Sequence, residues 1–165
     1  MPFRLSKYFT LPVEIATRRS SLYARPVGMH RKGNNMTAHL TTLYAAILGL
    51  IMIALMAMVI KLRAKTHISI MDGGNIQLAE RMRRHGNFIE NVPMALILMA
   101  LAETSGASPT IIHASGIILI LSRLIHPFGI QNDNAAAKAR IIGASGTMLS
   151  MLISIGAILW QFMSN

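Results

Sequence analysis

Between Leu40 and Ile60 the chain runs for 21 residues without one charged side chain. As a helix rising about 1.5 Å per residue, that stretch is roughly 30 Å long, the thickness of a bilayer's hydrocarbon core. It has no polar face, so it does not suit the outside of a water-soluble bundle. In lipid, backbone donors and acceptors must be satisfied within the segment, and a helix does this. Composition agrees: 53% of residues are hydrophobic and 13% charged, where a soluble domain carries about a quarter charged residues. The absence of cysteine excludes disulfides, thiolate metal sites and a cysteine nucleophile.

Three further spans follow. "MDGGN", Met71 to Asn75, is a turn signal, and a second helix is expected from about Ile76 to Glu103, apolar from Gly86 onward. "TSGASP", Thr104 to Pro109, is a polar turn. A third span covers about Thr110 to Ile125 and stops at His126-Pro127, since proline lacks the donor a helix needs. "GIQNDN" is a loop, and a fourth span runs from about Ile141 to Phe162. The expected fold is an all-α, integral membrane four-helix bundle spanning residues 36–165. In the fourth span Gly143, Gly146, Thr147, Ser150, Ser154 and Ala157 recur at three- and four-residue steps. Small residues so placed let a neighbouring helix approach closely. The methionines read as adaptable apolar filler.

Lysine and arginine counts set the expected orientation. The first connection and its flanks hold Lys61, Arg63, Lys65, Arg81, Arg83 and Arg84, and the third holds Arg123, Lys138 and Arg140, while the second holds none. The first and third connections are therefore expected in the cytoplasm, with Tyr44 and Trp160 at the opposite interface. Residues 1–35 break the pattern, with seven bases against one acid on the wrong side. Met36 directly precedes the apolar run. Residues 1–35 thus read as a basic extension, disordered or absent from the mature protein, with a targeting segment as the rival reading. Nucleic acid is not an expected partner. The bases flank apolar spans and are not interleaved with exposed aromatics.

The second helix carries the chemistry. Arg83, Asn87 and Glu90 are spaced by four and three residues, so all three project from one face, with Pro93 a turn further on. A charge inside a bilayer is costly unless it is paired or faces a polar cavity, so this stripe must face protein. It is either an interhelical polar clasp or a binding site at the cytoplasmic edge. Arg123 and His126 end the third span and Arg140 opens the fourth, at the same expected depth. With Arg83 and Arg84 that makes four guanidiniums around few acids. Arginine forks match carboxylates two donors at a time, so the pocket suits an anion with several carboxylates. Each arginine taken singly also fits a topology marker. A proton-carrying transporter centred on Glu90 is disfavoured by Arg83, seven residues away.

"ERMRRHGNFIENVP", Glu80 to Pro93, resembles the second-helix motif of the membrane-associated proteins in eicosanoid and glutathione metabolism (MAPEG): Arg83, Asn87, Glu90 and Pro93 match in type and spacing. The resemblance covers about residues 38–163, and the "RxHGN" form is similar to a bacterial branch. It implies a homotrimer binding glutathione between subunits at the cytoplasmic side. By position Arg83, Asn87 and Glu90 hold the tripeptide, with Arg84, Arg123 and His126 beside them, and Arg140 matches the arginine that stabilises the thiolate. The implied activity is that of a glutathione transferase or peroxidase on lipophilic electrophiles or hydroperoxides, and the alternative is a non-catalytic lipid-binding or scaffold member. The sequence departs from the eicosanoid enzymes at Asn91, His126 and Ile130, where they carry tyrosines.

Overall fold

A computed structural model describes residues 38–132 and 137–164. The expected extension, residues 1–35, lies outside them. The described chain is four helices: α1 (His39–Thr66), α2 (Ile76–Thr104), α3 (Pro109–Ile125), continued by a 3-10 turn (His126–Gly129), and α4 (Lys138–Ser164). The fold is the all-α membrane bundle expected. Three helices, α1, α3 with its 3-10 turn, and α4, are long and apolar enough to cross a membrane. The expected second span, α2, has the length at 29 residues, but its arginines, asparagines and glutamates make it less apolar than the others.

Local sequence explains the boundaries. Helix α1 runs past its apolar stretch because Lys61, Arg63 and Lys65 extend it toward water. It stops at His67 in the left-handed region, φ 58°. Gly73 and Gly74 take positive φ in the turn that follows. Asn75 then caps α2, its side-chain oxygen accepting the Leu78 N–H at 3.0 Å. Pro109 opens α3 where a missing donor costs nothing, and Pro127 tightens its end into the 3-10 turn.

Two apolar clusters fill the interior. One joins Tyr44 of α1 to Met99 and Ala102 of α2, Ile112 of α3 and Ala157 of α4. The other joins Leu48 and Leu55 to Phe88, Val92, Ala95 and Leu119. Large side chains such as Leu50, Ile60, Leu152 and Leu159 point outward, as lipid-facing positions do. Between α3 and α4, Ser115 sits within 2.9 Å of the Ser150 hydroxyl and 3.0 Å of the Ser154 hydroxyl, all three buried. The small-residue stripe of α4 faces α3 as expected. At Gly143 an added Cβ would fall 2.7 Å from the His126 Cα, so nothing larger than glycine fits without displacing α3.

Tyr44, expected near the far interface, turns into the bundle. It is 5% exposed, its ring lies over Gly116, and its hydroxyl is 2.8 Å from His113 Nδ1. A buried phenol needs a partner, and His113 on α3 supplies one. Trp160, by contrast, is exposed.

At the arginine-poor end, Glu103 of α2 closes the start of α1. Its carboxylate accepts the Leu40 N–H and the Thr41 N–H, both at 2.8 Å, and the Thr41 hydroxyl at 2.7 Å. The first N–H groups of a helix have no partner inside it, and here another helix provides one. Glu103→Ala is expected to cost about 2 kcal/mol, because bonds to a charged acceptor are worth more than neutral ones. Thermal unfolding in detergent reads this, and an unchanged midpoint would remove the capping role.

Candidate functional site at the arginine-rich end

The sequence-derived residues fall into three groups. Arg83 and Arg140 line one open cavity of about 420 Å³, whose wall is completed by Asp72, Glu80, Ile130 and Asn132 among others. Arg83 Nη1 also donates to Glu90 Oε1 at 2.9 Å, two turns along the same helix, and both side chains are more than half exposed. An exposed pair of this kind contributes little to stability, so it leaves Arg83 available to an incoming anion.

Asn87 turns the other way. Its side-chain oxygen accepts from Arg123 Nη1 at 3.1 Å. Arg123 is only 2% exposed, enclosed by the bundle near the end of α3. Its Nη2 donates to the Gly143 carbonyl at 3.1 Å and to the Thr147 hydroxyl. Its Nε is buried without a partner among the described residues. The guanidinium thus links α2, α3 and α4 without a carboxylate in contact. Sequence reading missed Thr147 and the Gly143 carbonyl as its partners. Thr147 stood in the small-residue stripe, where it looked like packing alone.

Arg84 ties the α3–α4 connection to α2. Its Nη2 donates to the Ile130 carbonyl at 2.9 Å and meets Glu80 at 3.3 Å, while Glu80 accepts the Asn132 N–H at 2.9 Å. Glu80 was also missed, though its position four residues before Arg84 was a legible pairing signal. Arg84 and Arg123 line a second, apolar groove and not the open cavity. The four arginines therefore divide two and two. His126 is buried, with Gly143 packed on its Cα and Cβ. The charges of Arg123, Arg140 and Arg83 all act on it. Asn91 is spent on its own helix, its side-chain amide donating to the Asn87 carbonyl at 2.8 Å. Among the described residues no cluster of His, Asp or Glu forms a metal site.

A membrane-spanning four-helix bundle with an open cavity at one end, lined by Arg83 and Arg140 together with Asp72 and Glu80, defines an integral membrane protein with a charged site at the bundle's end. Residues 41–160 match the MAPEG family, and the chain belongs to it. It is similar to the inner membrane protein YecN of Escherichia coli strain K12, and equally to YecN of strain O6:H1: each is 32% identical over 120 residues, covering 73% of this chain and 90% of the relative. No solved structure gives a significant match.

Proposed function

We propose that the protein is a membrane-embedded glutathione-dependent transferase, or peroxidase, acting on lipophilic electrophiles or hydroperoxides. The observation that carries this reading is that Arg83 and Arg140 line the same open cavity. Glutathione carries two carboxylates and a thiol. One guanidinium can take a carboxylate while the other faces the sulfur. A thiol of pKa about 8.5 is mostly protonated at neutral pH, and a fixed cation nearby lowers that value. In conjugation the sulfur gives its proton to solvent, forms the carbon–sulfur bond, and the leaving group departs with its electron pair.

In this reading Arg140 stabilises the thiolate, and Arg83 with Glu90 engages the peptide, Glu90 accepting from its amino group. Arg123 acts from behind by fixing Asn87, and Arg84 by fixing the connection that forms the cavity's rim. His126 sets the spacing of α3 and α4 and does not reach the ligand directly. The arginine-rich end faces the cytoplasm, and neighbouring copies in a homotrimer complete the site. The alternative, a lipid-binding or scaffold protein without catalysis, draws on Asn91: its amide is turned onto its own backbone, where the eicosanoid enzymes present a tyrosine.

Calorimetry on the detergent-purified protein with glutathione, and conjugation of chlorodinitrobenzene, test the proposal. Millimolar or tighter binding together with turnover is expected. Absence of binding at millimolar glutathione would overturn it, and binding without turnover would favour the alternative.

A further inference from the structure

The second groove shares no lining residue with the open cavity. It holds about 270 Å³ between α1, through Ile51, Ala54 and Met58, and the end of α3, through Phe128, with Arg84 and Arg123 in its wall. Apart from those two arginines the wall is apolar. Seven residues of α1 separate Ile51 from Met58, which is about 10 Å along a helix axis. The volume spread over that length suits one hydrocarbon chain, not two.

Two features distinguish this groove from an ordinary lipid-facing crevice. Arg123 is a buried cation that touches no carboxylate, and its Nε is unpartnered among the described residues. Arg84 uses its Nε and Nη2 on Ile130 and Glu80, and its Nη1 makes no bond among the described residues. Among the described residues, the uncompensated charge of Arg123 and a free donor of Arg84, whose own charge is met by Glu80, thus stand beside an acyl-width slot. Charge in a poorly hydrated site is screened little by salt. Basic pockets between membrane helices bind acidic headgroups on this principle.

We propose that this groove is a binding site for an acidic phospholipid. One acyl chain lies along Ile51, Ala54 and Met58, the second stays in the bilayer, and the phosphate meets Arg84. Arg123 supplies attraction through its charge without direct contact. The groove is separate from the open cavity and shares no lining residue with it, so lipid retention can be read without glutathione.

Native mass spectrometry of the purified protein, without glutathione, against equal amounts of phosphatidylglycerol and phosphatidylcholine of identical chains tests this. Both lipids offer Arg84 a phosphate, but the quaternary ammonium of phosphatidylcholine brings a like charge beside Arg84 and Arg123, so phosphatidylglycerol is expected to be retained about tenfold more. Arg84→Gln should erase that preference while leaving the protein folded. Ala54→Trp, at an exposed position of the groove, should expel both lipids. Equal retention of the two lipids by the unsubstituted protein would overturn the proposal, and so would a preference that survives both substitutions.

Discussion

Asn87→Leu is expected to destabilise the bundle by about 3 kcal/mol, the cost of stranding one donor of a buried charge. The reason lies in the setting of Arg123. Its guanidinium is enclosed, its partners are an amide, a backbone carbonyl and a hydroxyl, and one nitrogen already lacks a partner. Removing the Asn87 amide therefore removes a bond that water cannot replace. The double replacement Asn87→Leu with Arg123→Met should be less unstable than Asn87→Leu alone, because replacing both members of a buried polar pair by apolar groups leaves no orphan. Unfolding of both variants in detergent measures the difference. A double variant as unstable as the sum of the two single changes would show that the two residues do not act as a pair.

Arg140→Ala is expected to lower kcat/KM for glutathione conjugation about a hundredfold, in line with loss of one preorganised group opposite developing charge. Arg83→Ala should chiefly raise KM, by about tenfold, as loss of a carboxylate contact does. The pH profile separates these roles. If Arg140 acts as proposed, the thiolate should form below the free thiol's pKa of about 8.5, and activity should level off early. Without the cation the pKa returns upward, so the Arg140→Ala rate should keep rising into alkaline solution. Arg140→Lys should restore part of the activity at neutral pH. Lys65→Ala, an exposed base away from the cavity, should behave as the unsubstituted protein. A flat, low profile for Arg140→Ala at every pH would remove its thiolate role.

The helices were legible because each obeys a strong constraint: an uncharged run for α1, prolines and glycines at the turns, and a three–four stripe of small residues for α4. The stripe predicted the buried face almost residue by residue, since in lipid helices associate through close backbone approach and interhelical hydrogen bonds, and small and hydroxyl side chains serve both. The site was legible in its membership more than its arrangement. Spacing puts Arg83, Asn87 and Glu90 on one face, but a face about 60° wide at the bundle's edge can look two ways. Arg83 and Glu90 look outward while Asn87 looks inward to Arg123. Depth along the membrane placed all four arginines together. Which side of the bundle each one faces depends on helix rotation, and charge counting carries no such information. The direction Tyr44 faces was hidden for a related reason: its place near the start of α1 says nothing of helix rotation, and His113 stands one hydrogen bond away inside the bundle.

The carboxylate of Glu103 has a practical consequence. The Leu40 and Thr41 N–H groups at the start of α1 receive their acceptors from α2, and so carry them whatever sequence is attached ahead. An affinity tag, a fluorescent reporter or a cleavable leader joined before residue 38 should leave the fold's melting behaviour unchanged. The same attachment in a Glu103→Ala background should not be neutral, because the junction would then have to supply the missing acceptor itself.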